Sequence, residues 1–177
     1  MKYQEAIKHW MEKLAQDEKV IFLGYNIKYG SKAYGTLKDV PKEKLIETPL
    51  AENLMVGLAV GLALEGFKPV LFFERHDFIL VAMDALVNHL DKIERMSHGE
   101  FKPVVLIRAI VGATKPLYPG LQHMQDFSEM FKKIFNFQVI DLKTNEDIKR
   151  GYGEAGKFEK THMLIERKDL YPEEVGG

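Results

Sequence analysis

Residues 52–62, Glu-Asn-Leu-Met-Val-Gly-Leu-Ala-Val-Gly-Leu, place the tightest constraint on what this chain can fold into. Leu54, Met55, Leu58, Val60, Leu62 and Leu64 put apolar side chains on nearly every face of a helix. A helix that is apolar all round is expected to be buried. Gly57 and Gly61 lie one turn apart on a single face of it, although each interior glycine costs about 1 kcal/mol relative to alanine. Two such costs on one face imply a bare backbone strip, used for tight packing on a sheet or for the close approach of a second element. Thr48 suits the N-cap and Pro49 the first helical position. That places Glu52 in or near the first turn, at the mouth of the helix. A carboxylate there either complements the helix dipole at a surface or acts on something bound at the mouth.

The remaining composition narrows the class. A length of 177 residues fits a single domain spanning 1–177. The formal net charge is -1 and Lys and Arg are scattered, so neither nucleic acid nor a membrane surface is an expected partner. There is no cysteine, which removes disulfides, thiolate nucleophiles and Cys-based zinc sites. The polar start Met-Lys-Tyr-Gln-Glu-Ala lacks a signal-peptide core. The apolar run from Leu54 to Leu64 is too short to cross a bilayer. A cytoplasmic protein is expected.

Along the chain, helical spacing of Tyr3, Ile7, Trp10, Met11 and Leu14 predicts a helix over 2–16. Val20–Leu23, stopped by Gly24, reads as a buried parallel strand. Residues 25–47 read as a long loop. After the central helix come a strand over 68–73, a long helix from Phe78 to Met96, and a strand over 103–107. A loop over 112–122 with Pro116 and Pro119 precedes a helix from His123 to Ile134, a strand over 137–140, a helix over 145–156 capped by Thr144 or Asn145, and a strand over 162–165. Strands alternating with helices predict an α/β fold, three-layer and doubly wound, with a mostly parallel sheet. Ligands in such folds sit beyond the carboxyl ends of the strands. The segments there are 24–50, 74–77, 108–122 and 141–144, so Glu52 and His123 are expected to share one edge.

Glu52, Gly57, Leu58, Gly61 and Leu62 together resemble the motif of the pyrimidine-binding domain of thiamine-diphosphate enzymes in the transketolase superfamily. The likeness is strongest to the front domain of the beta subunits of the decarboxylating component of 2-oxo acid dehydrogenase complexes. Asp17–Gly24 resembles that family's first strand, Pro69–Phe73 with Asp77-Phe78 its second, and Ile107-Arg108 with Val111-Gly112 its third strand and turn. Gly120-Leu-Gln-His-Met-Gln125 resembles the loop carrying its active-site histidine, and Glu166–Tyr171 the exit from the domain. Two departures stand out: Tyr25-Asn26 where the family has two acidic residues, and Arg75-His76 where an aromatic ring packs on the pyrimidine.

The resemblance implies that Glu52 hydrogen-bonds and activates the aminopyrimidine of thiamine diphosphate, that His123 handles protons on the substrate, and that Leu50, Arg75 and His76 lie beside the cofactor. Arg75 and His76, at the end of a strand, are also candidates for binding an anionic substrate. Lys115 and Tyr118 are further candidates for the lining, whereas His9, His89, His98 and His162 read as structural. The chain has no Gly-Asp-Gly followed by a distant Asn, the pattern that resembles the magnesium-diphosphate clasp of these enzymes. The resemblance therefore implies a separate diphosphate-domain subunit that carries the magnesium, in a homodimer or heterotetramer, with no metal held by this chain. The implied reaction is 2-oxo acid decarboxylation or ketol transfer. The alternative is a catalytically silent relative serving as a dimerisation or regulatory module.

Overall fold

Six strands build the sheet: β1 (Val20–Gly24), β2 (Leu45–Glu47), β3 (Lys68–Phe73), β4 (Leu106–Val111), β5 (Gln138–Asp141) and β6 (His162–Arg167). Their order is β2-β1-β3-β4-β6-β5, and every pairing is parallel. The computed structural model describes residues 1–115, 118–174 and Gly176; Pro116, named above in a loop, lies outside the described residues. β4 is buried along its whole length, as a strand covered on both faces must be. Alternate residues feed two cores. Phe22, Val70, Phe72, Leu106, Ile110 and Leu164 pack with α1 (Tyr3–Leu14) and α5 (Asn145–Ala155). Leu23, Leu71, Phe73, Ile107, Ala109 and Ile165 pack on the other face, with α2 (Glu52–Leu64) and α4 (Ser128–Ile134). The result is the expected three-layer, doubly wound fold. The chain steps outward from β1 to β2 and then back across to β3, so the topological switch lies between β1 and β3.

Local chemistry explains where the elements depart from expectation. The segment read as a loop contains β2, an edge strand of three residues, too short to show a period. Thr48 does not cap α2: its amide donates to the Gly24 carbonyl at 2.9 Å, prolonging the β1–β2 ladder, and the helix begins at Glu52 after Ala51. Nor is α2 buried all round. Met55, Val56 and Ala59 face the sheet, while Leu54, Leu58 and Leu64 are exposed. A Cβ built on Gly57 or Gly61 would meet nothing within 4 Å, so the glycine strip is open and is not helix-on-sheet packing.

The long helix expected over 78–96 is instead a 3-10 stretch, His76–Ala82, a π-helical stretch, Ala85–Leu90, and α3 (Ile93–Met96). The Asn53 side-chain oxygen accepts the Ala85 amide at 3.3 Å, and a side chain inserted into the helical ladder is a recognised cause of such breaks. β4 begins at Leu106, beyond Pro103, which has no N–H to pair. α4 begins at Ser128, not His123; Asp126 accepts the Ser128 amide at 2.9 Å and starts the helix there. Thr144 caps α5 through the Asp147 amide.

One fully buried polar cluster fastens the α1–α5 side to the sheet. Arg108 of β4 donates to both Glu166 oxygens of β6, from Nε at 2.6 Å and Nη2 at 3.1 Å, and to Thr36 Oγ1 at 2.9 Å. The Tyr152 and Tyr171 hydroxyls donate to the same carboxylate. Burial and then the Glu166 charge push the Tyr171 hydroxyl well above its ordinary value, which keeps it a donor. Burial opposes the Arg108 charge, but Glu166 beside it more than restores it.

Candidate functional site

The carboxyl ends of β1 and β3 open onto a cavity of about 240 Å³, lined by Tyr25, Leu50, Glu52, Met55, Phe73, Glu74, Arg75, Phe78 and His123. It lies at the switch point, where the strand order turns outward and leaves a crevice. A larger cleft of about 460 Å³ opens elsewhere, lined among others by Asp91, Glu94, Lys102 and Lys160. It contains neither Glu52 nor His123.

Each group reaches the cavity for a local reason. Glu52 is the first residue of α2 and retains only 9% exposure. No hydrogen bond or ion pair engages its carboxylate among the described residues. Met55 follows one turn later on the same side. Tyr25 leaves β1 on a loop pinned by Glu47, whose carboxylate accepts the Asn26, Ile27 and Lys28 amides at 2.6, 3.0 and 2.7 Å. Asn26 sits there in the left-handed region, with φ of 59°. The Glu74 carboxylate is occupied by Asn26 Nδ2 at 2.9 Å and Ser31 Oγ at 3.0 Å. Arg75 lies with its guanidinium 5.6 Å from the centre of the Tyr34 ring, and Lys168 sits 3.4 Å from the same ring. Burial, and then repulsion from Arg75, lowers the Lys168 pKa. Among the described residues neither cation is ion-paired to a carboxylate.

His123 comes from a single 3-10 turn, Leu121–His123, and its ring meets Phe78 edge-on, centroids 5.3 Å apart. Its main chain crosses directly over Gly112, where an added Cβ would come within 1.8 Å of the His123 carbonyl oxygen. Only a glycine at 112 permits that crossing.

Glu52, His123, Leu50 and Arg75 therefore meet in one cavity. His76 does not: it is fully buried and turned away from that lining, with Nε2 accepting the Phe127 amide at 3.0 Å. Desolvation lowers its pKa to about 4, so it is neutral near pH 7 and unsuited to holding an anion. Lys115 and Tyr118 are exposed and outside the lining. Glu74, Met55 and Phe73 line the site without having been singled out for it. Phe73 and Glu74 lie at a strand's end, where no periodic mark shows which side they face, whereas Met55, one turn beyond Glu52 on α2, was readable from helical spacing.

An all-parallel α/β domain with an unpartnered acid at its switch point defines a class of ligand-binding fold, and similarity to known proteins makes it particular. Residues 1–174 match the family model described as transketolase, pyrimidine binding domain. The chain belongs to that family. It is 32% identical to the Saccharomyces cerevisiae protein named pyruvate dehydrogenase E1 component subunit beta, mitochondrial, over 98% of this chain and 48% of that one. It is 29% identical to the E1 component subunit beta of Rickettsia bellii over 95% of this chain and 53% of the relative. The chain thus spans about half the length of the curated relatives it matches. A solved structure described as a split gene transketolase, inactive beta4 tetramer, superposes with a TM-score of 0.71 at 19% identity, over 95% of this chain and 52% of that one. At that identity the likeness concerns the fold.

Proposed function

We propose that this chain is the pyrimidine-domain subunit of a split thiamine-diphosphate-dependent enzyme that decarboxylates a 2-oxo acid or transfers a ketol unit. The observation that carries the reading is Glu52: a residue only 9% exposed, its carboxylate opening into the same small cavity as His123 without a partner among the described residues. Buried acids are ordinarily paired. One left unpaired at a ligand-binding edge fits a hydrogen-bonding partner that comes from outside the chain.

The cavity fits part of that cofactor. Its volume of about 240 Å³ falls below the roughly 300–1,000 Å³ of pockets that enclose a whole drug-sized ligand. An apolar wall of Leu50, Met55, Phe73 and Phe78 suits one heterocyclic ring. Thiamine diphosphate, when bound, supplies the carbanion chemistry of the reaction. Glu52 would hydrogen-bond the pyrimidine ring nitrogen, a charge-assisted contact about twice as strong as a neutral one. Leu50 and Met55 would pack on the ring and exclude water. His123 would hold or release a proton at the substrate oxygen, and Arg75, with no carboxylate of its own, would face the substrate's anionic group.

The diphosphate and its magnesium would be held by a separate subunit. The open glycine strip supports a further contact, with a second copy of this chain, since a Cβ on Gly57 or Gly61 would meet nothing within 4 Å among the described residues and Leu50, Leu54, Leu58, Leu80 and Val81 are exposed. A second copy of α2, in a homodimer or heterotetramer, would account for the glycines. Arg75-His76 in the place of an aromatic side chain, and Tyr25 in the place of an acid, favour the second reading, a catalytically silent module. One experiment decides between them: the chain is mixed with a diphosphate-domain subunit, and thiamine diphosphate binding is measured by calorimetry. Saturable binding that Glu52→Gln weakens at least tenfold supports the enzyme. Assembly without cofactor binding supports the silent module.

A further inference from the structure

The segment bearing His123 has little regular structure to fix it. Between the turn at Leu121–His123 and the start of α4 at Ser128 there is no strand and no helix. Side chains from the framework hold it instead. Asp77 Oδ1 accepts the Gln125 amide at 2.9 Å. His76 Nε2 accepts the Phe127 amide at 3.0 Å. Between those two, Asp126 pairs with Arg167 at 2.9 Å, and Arg167 is itself fixed on Asp141 by contacts of 2.8 and 2.6 Å.

We propose that His76 and Asp77 are positioning residues that set His123 against Glu52 by binding alternate amides of the His123 loop. The inference rests on the reading that His123 acts in the cavity. The stretch after β3 has two sides. Glu74, Arg75 and Phe78 face the cavity, while the two residues between Arg75 and Phe78 face the loop. Phe78, next to Asp77, is also the ring against which His123 rests. One short segment thus supplies a wall of the site and the grip on its histidine.

The chemistry accounts for an imidazole at 76. Its ring lies near-parallel to Phe127, centroids 6.1 Å apart, and 5.0 Å from Phe131. An apolar side chain would fill that slot without accepting the amide. A carboxylate would add a negative charge to those of Asp77, Asp126 and Asp141. A neutral imidazole offers a flat apolar surface and one acceptor nitrogen. Because Nε2 accepts, the proton is assigned to Nδ1, which finds no partner among the described residues. An unsatisfied buried donor is costly, and a histidine kept at that cost fits a role that leucine would not serve. Displacement of a reacting group by about 1 Å can lower a rate about a hundredfold, so this grip matters even though neither residue touches the cavity.

The contact itself is read in the unaltered 177-residue chain as a nitrogen–nitrogen coupling across the Phe127 amide and His76 Nε2 by NMR; its absence overturns the proposal. In His76→Leu, exchange of the Phe127 amide should quicken about tenfold while the β4 amides are unchanged, and the ring-to-ring contact between His123 and Phe78 should weaken. Asp77→Ala should do the same at Gln125. In the assembled enzyme, kcat should fall roughly tenfold to a hundredfold with KM little altered, and His76→Gln should recover part of the loss. Unchanged exchange at Phe127, or unchanged kcat in a chain whose loop has been released, overturns the positioning role. A His123→Ala enzyme of full activity would instead sink the reading of His123, and it is distinguishable because the exchange results do not depend on it.

Discussion

Glu166 and Glu52 are both buried acidic residues, one on β6 and one at the first turn of α2, and the fold surrounds them in opposite ways. Glu166 accepts two hydrogen bonds from Arg108 and one each from Tyr152 and Tyr171. Those partners come from β4, α5 and the segment after β6, so the cluster ties distant parts of the chain together. Glu52 has no such partner, although it is 9% exposed against 0% for Glu166. Charges removed from water need compensation. The fold supplies it for Glu166 and, among the described residues, supplies none at Glu52. Burial alone therefore does not mark a working acid. Burial without a partner among the described residues, at a switch point, is what sets Glu52 apart from Glu166.

The largest effect expected from this contrast is at the satisfied acid. Glu166→Ala leaves a guanidinium and two phenols without their acceptor and should destabilise the fold by about 3–5 kcal/mol, read as a lower denaturant midpoint. A loss below about 1 kcal/mol would mean the cluster is not structural.

Next comes the acid limb of stability. Desolvation holds the folded-state pKa of His76 at about 4, below its ordinary 6.5. Below pH 6.5 the unfolded chain takes up a proton that the folded chain refuses. Stability should therefore fall by about 3 kcal/mol as pH drops from 6.5 to 4, then level off for this group. Asp126 acts lower. Burial would raise its pKa, but hydrogen bonds from Ser128 and Arg167 win and bring it to about 2, so its contribution persists until pH falls from 3.8 toward 2. Denaturation measured from pH 7 to pH 3 should show the first window, and His76→Gln should flatten it.

Smaller still is the glycine strip. Gly57→Ala meets open space within this chain and should stabilise the isolated subunit by up to about 1 kcal/mol, while sedimentation shows weaker assembly. Unaltered assembly would remove the argument for a partner on that face. Last is Glu52→Gln in the subunit alone, where no internal partner is lost and an uncompensated charge is removed, so stability should not fall.

Much of this was legible in the sequence. The strands at 20–24 and 68–73 announce themselves by short apolar runs, and α1 by its spacing. Glu52 and His123 could be placed on one edge because both follow strands in a parallel sheet. The departures arise where side chains override periodicity. Asn53 reaches across to the Ala85 amide and breaks the long helix, Asp126 delays α4, and the Thr48 amide goes to the ladder rather than into a cap. His76 was misplaced for a similar reason. A histidine beside an arginine at a strand end gives no sign of which one turns inward, and only the Phe127 amide and the two phenylalanine rings decide it. The open glycine strip could not be told from tight internal packing, because the spacing of Gly57 and Gly61 is the same in both cases.

The most direct test of the proposed function is turnover of a 2-oxo acid or a ketol donor by the subunit carrying Glu52→Gln, mixed with a diphosphate-domain subunit and corrected for folded fraction. A fall of about a hundredfold or more, in a subunit as stable as the unaltered one, is the predicted result. Full turnover without that carboxylate would contradict the account.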